Sequence, residues 1–286
     1  MSRIPSVCGG GFDMTDMRDW LGHVGANWAL EWARTDRSFA DLTTQLVARI
    51  VERSPRKLMD IGCGAGELAL AVSEKCPHAS VVGIDLSPDL VAQARLRANT
   101  QPNCSFSVAD ASCWGDSAFA PDVLMSRHGV MFFEDPVAAF TNIAQASAPQ
   151  AQLVFSCFRD RRLNAWATEI ASLLPEASPP DKNAPGPFAF ADPERVTALL
   201  TAAGWTDVQF APVDWDYVAG AGPDPVADAV DFFTRIGPAA PVIAALAGAA
   251  RTDFLGQLRL LAQSHLMDSV VAFNAAAWIV SAQLRR

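Results

Sequence analysis

The stretch Leu58-Met59-Asp60-Ile61-Gly62-Cys63-Gly64-Ala65-Gly66-Glu67 decides how this chain folds. An apolar run ends in alternating glycines and passes directly into a helical pattern. Glycine at such a junction lets the backbone bend sharply and lets a ligand approach with no Cβ in the way. Alone, a glycine loop specifies little. Asp85 sharpens it: that residue closes a second apolar run, Ser80-Val-Val-Gly-Ile-Asp85, about 20 residues beyond the last glycine, where a carboxylate accepts both hydroxyl hydrogens of a ribose. The glycines occupy the first, third and fifth positions of the loop, and Glu67 stands in the sixth, where a dinucleotide fold usually has its last glycine. A carboxylate at a helix start repels a pyrophosphate but is tolerable beside a ligand that carries an ammonium and a sulfonium.

Outward from this loop, strand and helix alternate. Residues 57–61, 80–85, 104–108, 121–126 and 151–157 read as buried strands, and 67–75, 88–99 and 136–147 as the helices between them. Ser87 before Pro88, and Asp135 before Pro136, are helix-start signals. The alternation predicts an α/β, Rossmann-like core with parallel strands and right-handed crossovers. After residue 158 the rhythm breaks. Residues 163–174 read as one helix, and 175–187 hold five prolines and a glycine, a lid over a site. Asp192-Pro193 opens a helix that ends at Gly204, and 206–210 form the next strand. Residues 225–263 are Ala-rich and helical, broken at Gly237-Pro238, and 269–281 return to strand. The expected organisation is an N-terminal helical segment (1–50) closing over the site, a core (51–215) with its lid near 175–190, an inserted helical cap (216–268), and a final strand with the C-terminus (269–286).

Composition narrows the function. With 22 basic against 31 acidic residues and a net charge of −9, the chain lacks the basic stripe that a nucleic-acid partner needs. Half of it is apolar, enough for a sizeable core. The six cysteines (8, 63, 76, 104, 113 and 157) form no Cys-x-x-Cys pair and have no histidine in ligand spacing, so free thiols in a reducing cytoplasm are expected, and no metal. Residues 1–12 lack the apolar run of a signal peptide, and 270–280, interrupted by Asn274, are too short to span a bilayer. The expected partner is a small molecule. Nothing in the sequence bears on oligomeric state.

Three further motifs, Gly83-Ile-Asp-Leu-Ser-Pro88, Val108-Ala-Asp-Ala111 and Ser126-Arg-His-Gly-Val-Met-Phe-Phe133, complete a pattern. With the glycine loop, the sequence resembles the class I S-adenosylmethionine-dependent methyltransferases, in the small-molecule branch related to the UbiE and type 11 groups. The segments 185–190 and 276–280 are similar to the same branch. The resemblance implies a seven-stranded mixed sheet whose last strand is antiparallel, and S-adenosyl-L-methionine as cofactor, leaving as S-adenosyl-L-homocysteine. It also implies roles. Gly62, Cys63 and Gly64 approach the methionine part, Asp60 orders the loop and reaches the amino group through water, Asp85 binds the ribose, and Leu86 packs on the adenine. Asp110 and the Ala111 amide meet the adenine edge, Ser126 and Arg127 offer backbone atoms near the amino-acid end, and Trp28 belongs to the closing N-terminal segment.

Methyl transfer from a sulfonium is an in-line displacement whose thioether leaves unprotonated, so alignment alone can supply about 7–11 kcal/mol. A base is needed only for a protonated nucleophile. His128, just past the fourth strand, is the candidate base; the family's usual residue there is Phe, which favours an aromatic-sized wall instead. The substrate pocket is expected among His23, Trp32, His128, Phe132, Phe188, Tyr217 and Phe232, a set suited to an apolar or aromatic metabolite accepting methyl on O, N or an electron-rich C. Two other readings compete. A nicotinamide-dependent oxidoreductase is disfavoured by Glu67, by residues 108–111 and by the lack of a Tyr-x-x-x-Lys pair. A non-catalytic, cofactor-binding regulatory protein is the other.

Overall fold

The computed structural model describes residues 20–116, 118–174, 184–237 and 240–285. The N-terminal tail and residues 175–183 of the expected lid lie outside them. The glycine loop does what its sequence predicts: β1 (Lys57–Ile61) turns through it into α3 (Glu67–Lys75), and Gly62, Gly64 and Gly66 all have positive φ, of 64°, 54° and 89°. At Gly62 the need is also steric, because a Cβ there would sit 2.9 Å from Gly129 Cα.

Among the described residues two helices, α1 (His23–Leu30) and α2 (Trp32–Val51), precede β1, so the expected N-terminal helical segment is interrupted at Glu31. After α3 follow β2 (Ser80–Asp85), α4 (Pro88–Arg97), β3 (Cys104–Val108), β4 (Val123–Arg127), α5 (Pro136–Ala146) and β5 (Gln152–Phe158). Ser87 Oγ accepts from Leu90 N–H at α4, and Asp135 Oδ1 accepts from Ala138 N–H at α5, each with proline at the first helical turn. The expected helix over 163–174 is shorter, α6 (Ala165–Ser172), because residues 161–163 form a 3₁₀ turn. Then come α7 (Pro193–Ala202), β6 (Trp205–Gly220), α8 (Pro225–Arg235), α9 (Ala240–Ala245), α10 (Gly248–Ser264), β7 (Leu266–Met267) and β8 (Val270–Leu284).

The sheet runs β3-β2-β1-β4-β5-β8-β6. The strands β1 to β5 pair in parallel, while β8 lies antiparallel to both β5 and β6. The seven-stranded mixed sheet thus has its antiparallel last strand, with one addition, the two-residue β7 paired to β8. The other correction concerns length. β6 extends to Gly220, well past residue 210, because it follows β8 through Val271↔Gly220. Residues 216–220 are therefore strand, and the helices between β6 and β8 start at Pro225.

β1, β4 and β5 are buried almost throughout, as expected of strands covered on both faces. β1 stands between β2 and β4, so consecutive crossovers leave it to opposite sides. That switch point opens a crevice at the carboxyl ends of β1, β2 and β4. α1 reaches over it, packed so closely that a Cβ on Gly25 would meet Ser87 Oγ at 2.3 Å.

Candidate functional site

A cavity of about 940 Å³ opens at this crevice, lined by residues of the glycine loop, the ends of β2 and β4, both N-terminal helices and the α8–α9 segment. Asp60, Gly62, Cys63, Gly64, Asp85, Leu86, Asp110, Ala111, Arg127 and Trp28 all contribute to its wall, from segments spread over a hundred residues. Ser126 does not. Its buried hydroxyl donates to Ile61 O at 2.7 Å and accepts from Gly129 N–H at 3.1 Å, tying β4 to the end of β1 behind the loop.

Asp85 is held by two backbone amides: Gly64 N–H donates to Oδ2 at 2.9 Å and Ser87 N–H to Oδ1 at 2.8 Å. Those bonds fix the rotamer, and each oxygen keeps a second lone pair for a ligand hydroxyl. Burial raises its pKa, against the amides that lower it. Asp110 is anchored likewise by Ser112 N–H at 2.8 Å. Asp60 differs. It is 1% exposed, and neither carboxylate oxygen has a hydrogen-bond partner. Burial pushes its pKa up to about 8, with the Arg127 charge opposing and Asp85 adding to the rise.

Arg127 is the centre of an ionic cluster. Its guanidinium pairs with Glu67, donates to Thr43 Oγ1 at 2.8 Å, lies 3.8 Å from Asp36, and sits 5.0 Å from the Phe39 ring centre. Asp36 in turn accepts from Arg97 Nη2 at 2.5 Å, and Arg97 caps Trp32 at 4.1 Å and donates to Ala65 O at 2.7 Å. Glu67, expected to repel a pyrophosphate and to be tolerable beside a cationic ligand, is thus neutralised by a side chain from β4. Sequence reasoning assigned Arg127 a backbone role only, and nothing local in the sequence announces these partners.

The expected substrate residues divide. His23, Trp32, His128, Phe132 and Tyr217 line the cavity; Phe188 and Phe232 are set behind it. Phe188 stacks on Trp166 (6.2 Å, 22°), and Phe232 is fully buried against Tyr217 and Phe233. Inside the cavity, Phe39, His128, Phe158, Trp166 and Tyr217 make a box of rings. His128 stands 4.1 Å from Phe158 and 5.3 Å from Phe39, and Trp166 stacks on Tyr217 at 5.4 Å. Phe39, Phe158 and Trp20 were missed as wall residues; Trp20 packs on Trp28 (5.7 Å) and Phe132 (5.2 Å) at the mouth. His128 adopts φ of 62°, which costs a non-glycine residue about 1–2 kcal/mol. Burial, helped by the Arg127 charge, lowers its pKa well below the ordinary value.

A mixed sheet with a glycine loop at its switch point and an acidic residue ending the second strand defines a Rossmann-like nucleoside-binding enzyme fold. The sequence model of a family described as a methyltransferase domain matches residues 32–210, more than half of the chain. The chain belongs to that family. Two curated relatives share the name trans-aconitate 2-methyltransferase. The Methylobacterium radiotolerans protein is 30% identical over 105 residues (37% of this chain, 39% of that one), and the Escherichia fergusonii protein 27% over 137 residues (48% and 50%). The matches thus span half or less of these relatives' lengths. Among solved structures, a Haemonchus contortus phosphoethanolamine N-methyltransferase in complex with S-adenosyl-L-methionine aligns with a TM-score of 0.54 at 16% identity (96% of this chain, 61% of that one). The [4+2]-cyclase SpnF aligns at 0.55 and 16%, covering 97% and 100%. At such identities the shared property is the fold.

Proposed function

We propose that this protein transfers a methyl group from S-adenosyl-L-methionine to an O, N or electron-rich C atom of a small, uncharged, apolar or aromatic acceptor. The observation that carries the reading is the pairing, in one cavity, of buried Asp60 and half-buried Asp85 beside the glycine loop with a box of aromatic rings. When bound, the cofactor supplies a methyl group on an electrophilic sulfonium. The residues present fit it. Asp60, buried with both oxygens unpartnered, needs the cation that the ammonium of the amino-acid end provides. Asp85, preset by two amides, receives the ribose hydroxyls, and Leu86, Asp110 and Ala111 flank the base. Trp28 in the wall offers an aromatic ring to positive charge, worth about 0.5–2 kcal/mol, while Trp32 and Phe39 already hold Arg97 and Arg127. The chain's share of catalysis is alignment and exclusion of water, both of which a closed apolar box achieves.

The acceptor reading rests on charge as well as on rings. Asp36, Asp60, Glu67, Asp85, Asp110, Glu134 and Asp135 line the cavity, against Arg127 and Arg235 among the described residues. Both arginines are already paired, Arg127 with Glu67 and Asp36, Arg235 with Glu31 and Asp231. Among the described residues a polycarboxylate such as the aconitate in the relatives' names would meet no unpaired cation there, and each carboxylate buried without one is costly. The helices between β6 and β8 serve as a cap over the acceptor. Free cysteines at 63, 76, 104, 113 and 157 fit work in a reducing cytoplasm. No helix among the described residues is long and apolar enough to cross a membrane.

Calorimetric titration with S-adenosyl-L-methionine and with NAD tests the reading. The methyl donor is expected to bind and NAD to give no heat. Preferential NAD binding would overturn it in favour of hydride transfer, and labelled-methyl turnover on a panel of phenols, amines and polycarboxylates should favour the uncharged aromatics.

A further inference from the structure

Five non-glycine residues among those described have positive φ: Ser54, His128, Gln150, Asp207 and Asp268. His128 alone of them is buried, and it alone lines the cavity. The turn that forces this backbone is gripped by one partner. His128 N–H donates to Ser156 O at 3.1 Å, and His128 Nδ1 lies 3.0 Å from Ser156 Oγ. Ser156 is fully buried in the middle of β5, so its hydroxyl cannot turn to water. The other ring nitrogen, Nε2, is buried with no hydrogen-bond partner. The fold therefore spends strain to hold an imidazole edge, half satisfied, in the wall of an otherwise apolar box.

We propose that His128 Nε2 accepts a hydrogen bond from a hydroxyl of the methyl acceptor, and that Ser156 is the positioning residue that accepts from Nδ1–H and so keeps the Nε2 lone pair free. The acceptor is then a neutral aromatic alcohol of the phenol class, its ring among Phe39, Phe158, Trp166 and Tyr217. This inference rests on the methyltransferase reading. It assigns the nucleophilic atom as oxygen.

The chemistry suits a weakly basic imidazole. As the hydroxyl oxygen forms its bond to the methyl carbon, the methyl–sulfur bond breaks with its electron pair left on sulfur. The O–H bond breaks as its proton passes to Nε2, and the imidazolium then returns the proton to water. An alkylated hydroxyl is far more acidic than the hydroxyl itself, so even a base whose pKa is held low takes that proton. The surroundings of His128 agree: its burial and the Arg127 guanidinium on β4 both favour an uncharged ring before reaction.

Two measurements on the full chain test this without turnover. Imidazole nitrogen NMR at neutral pH should find His128 uncharged, with its proton on Nδ1; a proton on Nε2, or a charged ring, overturns the proposal. Binding of 2-naphthol and of naphthalene, each titrated with and without S-adenosylhomocysteine, should favour the alcohol about tenfold in the parent protein. His128→Phe should bring that ratio close to one. Ser156→Ala keeps the ring, so it remains informative should His128→Phe not fold; it should move the proton toward Nε2 and lower the ratio several-fold, with Ser156→Thr restoring both. Equal affinities in the parent, or a ratio unchanged in Ser156→Ala, overturn the assignment. Failure of the methyltransferase reading looks different: no heat with S-adenosylhomocysteine, whatever the tautomer and the naphthol preference.

Discussion

At the scale of single residues, two carboxylates a few ångströms of sheet apart are prepared for opposite tasks. Asp85 receives two backbone amides and is ready as an acceptor; its loss in Asp85→Ala should weaken S-adenosylhomocysteine binding tenfold or more, since a hydrogen bond to a charged group is worth about 1.5–3 kcal/mol. Unchanged affinity in a folded variant removes the ribose assignment. Asp60 has no such support, and its pKa of about 8 makes it a neutral acid at neutral pH until a cation arrives. Because the folded-state pKa lies above that of an unfolded aspartate, this group's stabilisation is complete below about pH 4 and disappears as pH rises through about 8. Asp60→Asn should therefore flatten the fall in stability over that window and leave the variant several kcal/mol more stable than the parent at alkaline pH. Urea titrations across the window read this directly. Ligand binding near neutrality should release a proton from the parent and none from Asp60→Asn, measurable in buffers of different ionisation enthalpy. The same site revises an argument made from sequence. Glu67 was to repel a pyrophosphate, but Arg127 neutralises it, so that ground against a dinucleotide falls away.

At the scale of elements, the Arg127 cluster joins four of them: β4 supplies Arg127, α3 Glu67, α2 Thr43 and Asp36, and α4 Arg97. Removing the cation alone leaves Glu67 mostly buried and unpaired, so Arg127→Met should cost about 3 kcal/mol or more, whereas adding Glu67→Gln should recover most of the loss. Additive effects in that double-mutant cycle would show that the pair is not coupled. The cluster also marks where sequence reading stopped. The glycine loop, the helix starts at Ser87 and Asp135, and the buried strands were legible because each is a local pattern of a few residues. The destination of the Arg127 side chain was not, since its partners lie on two elements, α2 and α3, some sixty to ninety residues earlier in the chain. Nor was the full length of β6 read: Asp214 and Asp216 alternate with buried Val213, Trp215 and Tyr217 as a half-buried strand requires, but what sets its length is a ladder to β8, formed with residues about sixty positions later. The residues that the resemblance proposes for the cofactor, Ser126 apart, line the cavity, and each sits in a short local motif or on the N-terminal helix. Phe188 and Phe232 were placed at the cavity on composition, and packing put them one layer back.

At the scale of the whole molecule, the cavity is closed by contacts between segments far apart in the chain. Arg34 on α2 pairs with Asp228 (2.9 Å) and Asp231 (2.7 Å) on α8 and with Glu31 (3.1 Å), and Arg37 pairs with Asp228 at 2.8 Å. Arg235 returns from α8 to Glu31 at 3.3 Å. Beyond α8, Ile236, Ala240 and Pro241 form the cavity wall, so this network holds a wall against the helix that bears Trp32 and Asp36. Apart from buried Glu31 its members are partly exposed, Arg34 by 28% and Asp231 by 42%, and such exposed pairs are screened, each worth at most about 1 kcal/mol. The sheet core does not depend on them: β1, β4 and β5 bury their side chains within the main apolar cluster. Opening of α8 would let the proposed cap admit an acceptor; it must expose buried Val226, Ala229, Phe232 and Phe233 as well as break the ion pairs, yet it leaves β1, β4 and β5 in place and so costs less than global unfolding. Arg34→Ala should speed amide exchange across α8 and α9 by roughly 5–30-fold, the factor that one or two kcal/mol represents, and leave the amides of β1 and β4 at the parent rate. Raised salt should narrow the difference between variant and parent. A uniform acceleration that includes the sheet would mean that the network stabilises the molecule as a whole and that the cap does not open alone.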